Sequence, residues 1–160
     1  MAKTSHQDCL QEYEALALMD IPKSFSGSLS WRRSNNKNFL TTEFVPIDAR
    51  DDFGGTLAGA VVQIEYKRPK RIKDSEKLLM TLHQLDKGIK RRAYQLEAAD
   101  ESRISSRSPS GNIYGCHEHI GQAVYKVAPL YPIAELSSWF PVFCGKVNLD
   151  FTGKLPEYSV

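Results

Sequence analysis

The clearest pattern in the chain is the alternation from Ala60 to Arg68, where Ala60, Val62, Ile64 and Tyr66 fall on one face and Gln63, Glu65 and Lys67 on the other. Successive strand side chains point to opposite faces, so this run predicts a strand with one dry and one wet side. Pro69 breaks it. From Lys77 a second run folds back at Asp86-Lys87-Gly88, and two turns compete for it. A three-residue loop with Gly88 left-handed pairs Leu85 with Ile89, and sets Met80 opposite Tyr94 and Leu78 opposite Leu96. A two-residue Lys87-Gly88 turn sets Met80 against Gln95 and Leu79 against Leu96, because a one-residue slip turns every side chain over. Only the longer loop brings apolar to apolar, so it is the expected one, with Arg91 opposite His83 and Arg92 opposite Leu82.

The same reading extends to the rest of the chain. Thr4 to Met19 has helical spacing, with Thr4 or Ser5 as cap and Ile21-Pro22 as terminator. Leu29–Arg33 and Phe39–Val45 alternate around Ser34-Asn35-Asn36-Lys37, which predicts a hairpin. Pro46 to Gly59 and Asp100 to Gly111 read as loops. His117 to Val127 alternates again, which as one strand puts His117, His119, Gly121, Ala123 and Tyr125 on a common face. Ile133 to Cys144 is apolar and aromatic, a short helix kinked at Pro141 and closed by Gly145, and the last residues form an extended tail. The sum is a single α+β domain over residues 1–160: a mainly antiparallel twisted sheet of five or six strands, an N-terminal helix and a C-terminal helical segment.

At 160 residues a single core needs no disulfide or metal to hold it. The three cysteines are an odd number without Cys-x-x-Cys spacing, which argues against a disulfide framework or a structural zinc site. No apolar run approaches the ~20 residues that cross a bilayer, and no signal pattern opens the chain, so a cytoplasmic protein without a membrane partner is expected. The net charge of +2 excludes a general electrostatic argument and leaves only local clustering.

Four features carry candidate chemistry. His117 and His119, two apart on a strand, project the same way and suit metal binding or acid–base work, but His83, Asp100 and Cys116 are the only recruits for a third ligand, so no metal is expected. Arg103 and Arg107, on a Ser/Gly-rich connection upstream, have the fork geometry that holds a phosphate. Together with the histidines they form a toolkit for a metal-independent ribonuclease. Lys67, Arg68, Lys70, Arg71, Lys73 and Lys77, followed by Lys87, Lys90, Arg91 and Arg92, concentrate positive charge that would attract a nucleic-acid backbone, unless they serve to guard a sheet edge against self-pairing. Asp48, Asp51 and Asp52 before Gly54-Gly55 do not match a calcium loop and read as a turn. No nucleotide-loop, dinucleotide or hydrolase-elbow motif is present, and no cofactor is expected.

The run Tyr94-Gln95-Leu96, Pro109-Ser110-Gly111-Asn112-Ile113-Tyr114-Gly115, His117-x-His119, Ala128-Pro129-Leu130 and Phe143-Cys144 resembles a group of uncharacterised small bacterial proteins. These keep a Pro-x-Gly turn ahead of a His-x-His strand. The likeness covers the C-terminal half and has no established activity to carry over. It implies an α+β domain in a mobile-element or stress-related setting, and a role for His117 and His119. Three functions follow as expectations: a binding protein whose basic surface takes nucleic acid; a toxin-type ribonuclease using His117 and His119; or an inhibitor that occupies a nucleic-acid site on a partner enzyme, with Trp31, Trp139 or Phe140 as exposed anchors.

Overall fold

The computed structural model describes residues 9–35, 38–69, 76–108 and 111–158. Its frame is a seven-stranded antiparallel sheet. The strands are β2 (Arg32–Arg33), β3 (Phe39–Phe44), β5 (Ala60–Lys67), β6 (Lys77–Asp86), β7 (Ile89–Ala99), β10 (His117–Ile120) and β11 (Ala123–Lys126), in the spatial order β11-β10-β7-β6-β5-β3-β2. The architecture is the expected α+β one, with a larger sheet.

One face of this sheet is dry. Val62, Ile64, Leu78, Met80, Leu82, Tyr94, Leu96 and Ala98 are fully or almost fully buried there. They pack with two helices, α1 (Glu12–Asp20) and α2 (Leu136–Val147). Helix α2 presents Leu136, Trp139, Phe140, Phe143, Cys144 and Val147 at helical spacing, and Phe143 meets Tyr94 at 5.9 Å between ring centroids. Pro141 sits inside it, and the helix closes not at Gly145 but at Asn148, whose left-handed φ of 56° lets its N–H reach the Cys144 carbonyl.

The central hairpin differs from expectation in an instructive way. Asp86 pairs with Ile89, so the turn is the two-residue Lys87-Gly88, with both residues at positive φ, 51° and 81°. The register that this turn dictates is corrected by a bulge: His83 faces Arg92 but Leu82 faces Tyr94, leaving Ala93 as the extra residue. Beyond the bulge Met80 meets Leu96 and Leu78 meets Ala98. Apolar still meets apolar, through a bulge rather than a longer loop.

The bulge also organises its surroundings. The Ala93 carbonyl accepts the Gly121 N–H at 2.7 Å, and the Arg92 carbonyl accepts the Leu10 N–H at 2.9 Å. Gly121 turns the chain with φ 57°, so His117–Val127 is a hairpin of β10 and β11 and not one strand. A Cβ at Gly121 would lie 2.6 Å from the Leu10 carbonyl oxygen. Because the backbone of Cys9 and Leu10 pairs with Arg92, the helix expected from Thr4 starts only at Glu12; Thr4 and Ser5 lie outside the described residues.

Two further corrections concern segments read as loops or tail. The Ser/Arg-rich segment forms a hairpin, β8 (Ile104–Ser108) with β9 (Gly111–Tyr114). Lys23–Phe25 (β1) lies between Ile47–Asp48 (β4) and Leu149–Phe151 (β12), the latter parallel, in a small second sheet that joins the two ends of the described chain. There the buried Lys23 ammonium donates to the carbonyls of Leu18 (2.6 Å), Ile21 (2.6 Å) and Val147 (2.8 Å), and Asn148 Nδ2 donates to the Asp20 carbonyl. A cation thus satisfies orphan carbonyls at the C-terminal ends of both helices, where the helix dipoles favour it.

Candidate functional site

The other face of the large sheet is polar and only partly exposed. Strand alternation puts Thr41, Gln63, Glu65, Thr81, His83, Gln95, Glu97, His117 and His119 on it. Side-chain hydrogen bonds run across the strands: Gln63 Nε2 to Thr41 Oγ1 at 3.2 Å, His83 Nε2 with Gln63 Oε1 at 3.1 Å, and Gln95 Nε2 to Thr81 Oγ1 at 2.9 Å.

At the β10 end of this face the two histidines meet each other. Their Nε2 atoms are 3.1 Å apart and their rings lie edge to face at 82°. Such a contact holds a single proton between the nitrogens. His117 Nδ1 lies 3.1 Å from the Gly115 carbonyl, which only accepts, so Nδ1 carries hydrogen, its Nε2 is the acceptor and His119 Nε2–H the donor. Ser105 of β8 completes the set, with Oγ 2.9 Å from His117 Nδ1. Burial keeps both rings neutral: it lowers the pKa of His117, and with the charge of Arg92 it takes His119 down to about 3.

Directly across from His117 stands Glu97, which sequence reasoning missed. It is 5% exposed, its Oε2 has no hydrogen-bond partner, and that atom lies 3.8 Å from His117 Nδ1. Burial pushes its carboxyl up to about 7, against the pull of Lys77 and Arg92. The only hint in the sequence is a carboxylate placed between Leu96 and Ala98 in an otherwise apolar stretch.

The arginines expected beside the histidines lie on the hairpin that reaches His117. Arg103 is exposed at the base of the β8–β9 hairpin, where its charge bears on Asp100, and Arg107 is exposed on β8 across from Asn112. The hairpin touches His117 through Ser105, and the arginine whose field reaches both histidines is Arg92. With the imidazoles in mutual contact there is no gap for a phosphodiester between them, so they cannot act from opposite sides of one substrate. Among the described residues no three His, Cys, Asp or Glu side chains group as metal ligands. Cys116 Sγ faces the Ala99 carbonyl at 3.7 Å and Asp100 caps Ser102.

The cations fall into two groups. Lys67 and Lys77 are cross-strand neighbours at one end of the sheet, with Arg68 next. Lys87, Lys90, Arg91 and Arg92 belong to the opposite half of the β6–β7 hairpin, about 20 Å of strand from Lys77 at Arg92 and about 30 Å at Lys87. One continuous positive area over the described cations, the expectation from sequence, does not form. Lys90 is engaged by Glu43 at 2.7 Å and Arg91 lies 3.8 Å from Asp86. Lys70, Arg71 and Lys73 lie outside the described residues. The three expected aromatic anchors are not available either: Trp139 and Phe140 are buried in the core, and Trp31 stacks on Tyr158.

Comparison with family models, with curated proteins and with solved structures yields no match. Among the described residues no helix is long and apolar enough to cross a membrane.

Proposed function

We propose that the protein is a non-catalytic binding protein of the cytoplasm that takes an anionic partner, nucleic acid, on the Lys67–Arg68–Lys77 end of its sheet. The observation that carries this reading is the strand order. Lysines on a sheet are ordinarily explained as guards of an exposed edge. That explanation suits Arg32 and Arg33 on β2 and Lys126 on β11, which are the edge strands. It does not suit Lys67 and Lys77, which lie directly opposite each other on the interior strands β5 and β6.

Like charges in that position are destabilising by roughly 0.2–1 kcal/mol. The carboxylate next to Lys77, Glu76, accepts the Tyr66 hydroxyl. A like-charged pair on interior strands is the arrangement expected where a phosphate backbone supplies opposing charge. Its field extends to the histidine strand, since Lys77 acts on both His117 and Glu97. The mutual contact of the histidines favours binding over the ribonuclease reading. The test is titration of a labelled oligonucleotide with nuclease-free protein in low and in moderate salt. Affinity that falls steeply with salt supports the reading, and absence of binding in low salt refutes it.

A further inference from the structure

We propose that the cavity beside the edge strand β2 binds a nucleotide, with its phosphate on Arg33 and its base against Trp31. The cavity has a volume of about 350 Å³, and its walls include Leu29, Trp31, Arg32, Arg33, Leu40 and Glu157. Small-molecule sites run from about 300 to 1,000 Å³. A second cavity, of about 540 Å³, shares Leu29 and Glu157 with it and extends to Lys154. The site goes beyond the Lys67–Lys77 surface: Arg33 pairs with Leu40 and Leu40 with Tyr66, so Arg33 takes the face opposite to that of Lys67.

Two stretches far apart in the chain build these walls. The Leu29 N–H donates to the Lys154 carbonyl at 2.9 Å, and Ser28 pairs with Lys154 in parallel. The C-terminal stretch is thereby laid along the segment that leads into β2, and Tyr158 stacks on the Trp31 indole at 5.7 Å and 15°. Held on one face by Tyr158, the indole does not project as an anchor. It is a half-buried wall whose position is set before a ligand arrives, so little freedom is lost on binding.

The charges around this wall select the ligand. Arg32 is drawn to Glu43, 3.3 Å away. Arg33 and Glu157 are exposed, and neither has an ion-pair partner among the described residues. Protection of the sheet edge explains a cation on β2, but not an uncommitted guanidinium set beside an indole in a cavity. A guanidinium fork holds phosphate oxygens by parallel hydrogen bonds, and any base can stack on an aromatic ring. The Glu157 carboxylate, which borders both cavities, only accepts, so it calls for a ligand with N–H or O–H groups. A nucleotide brings anion, planar ring and donors together. A phospholipid lacks the ring, and a simple aromatic acid lacks the donors. The same chemistry has two sources, a free nucleotide and the phosphorylated end of a strand.

The test is a titration of the full chain followed by its indole N–H signals in a proton–nitrogen correlation spectrum. The chain has two tryptophans, and Trp139 is fully buried with its N–H on the Pro132 carbonyl, so the Trp31 signal, assigned by its loss in Trp31→Phe, reports this cavity. AMP and UMP probe the free source, and a short oligonucleotide with a terminal phosphate, against its unphosphorylated counterpart, probes the strand end. One of the two sources is expected to shift the Trp31 signal and not that of Trp139, with a Kd below about 1 mM. Arg33→Gln, at an exposed position, is expected to raise that Kd about tenfold or more. Adenosine, which lacks the phosphate, and ribose phosphate, which lacks the ring, are each expected to bind about tenfold more weakly than AMP. A Trp31 signal that neither the mononucleotides nor the phosphorylated oligonucleotide moves overturns the proposal. Binding that is indifferent to Arg33→Gln, or that adenosine or ribose phosphate matches, overturns it as well.

Discussion

Replacing Glu97 by glutamine isolates the cost of a carboxylate held away from water. The side chain is 5% exposed and its carboxyl is raised from 4.5 to about 7 by burial. A group that holds its proton more tightly when folded favours the fold most below pH 4.5, and that contribution is lost as pH rises through about 7. The difference between the two pKa values, at about 1.36 kcal/mol per unit, corresponds to roughly 3 kcal/mol once the carboxyl is ionised. Glutamine keeps the shape without the charge, and its amide oxygen can face the His117 Nδ1–H. In urea unfolding across the pH range, Glu97→Gln should match wild type below pH 4.5 and exceed it by about 3 kcal/mol above pH 8. An offset that does not change with pH would show that the carboxyl does not titrate in this window. A wild type more stable than the variant at high pH would mean that the ionised carboxylate is bound by a partner, and the account of the site would be wrong.

The histidines work in the opposite direction: burial takes His83 down to about 4 and His119 down to about 3, so the stability they hold above pH 6.5 is lost on acidification, and His119→Asn should flatten the acid limb of the wild-type profile. Lys23→Met should lower stability by about 3 kcal/mol or more in the same assay, since carbonyls at the ends of both helices lose a common donor. Gly121→Ala, at φ 57° and with the Leu10 carbonyl 2.6 Å from its new Cβ, should cost about 1–3 kcal/mol, and a neutral result would show that the segment before α1 is not pinned there.

Local pattern revealed the elements and lost their junctions. The alternation of Ala60–Lys67 and the spacing of Leu136, Trp139, Phe140 and Phe143 were legible because each element buries one face of its own sequence. The Lys87-Gly88 turn was not, since its register makes sense only with a bulge at Ala93, and the bulge has its reason in a distant segment, Leu10, and in Gly121. A two-residue turn left the alternation of His117–Val127 unbroken in appearance, although it exchanges faces, so that Tyr125 sides with Glu118 and not with the histidines. Pairing of β1 with β12, more than a hundred residues apart, has no local signature. The histidine pair could be read from its spacing; Glu97 and Arg92 could not, because strand order alone brings them to it. The same order separates the cations and places Lys67 and Lys77 away from an edge.

The most direct measurement is the salt dependence of nucleic-acid affinity, compared between wild type and the Lys67→Gln, Lys77→Gln double variant. Removing two phosphate contacts should weaken binding evenly across sequences and reduce the slope of log affinity against log salt by about two, while Lys87→Gln leaves the slope unchanged. A double variant with the wild-type slope, or a slope that responds to Lys87 instead, would contradict the assignment of this end of the sheet as the anion-binding surface.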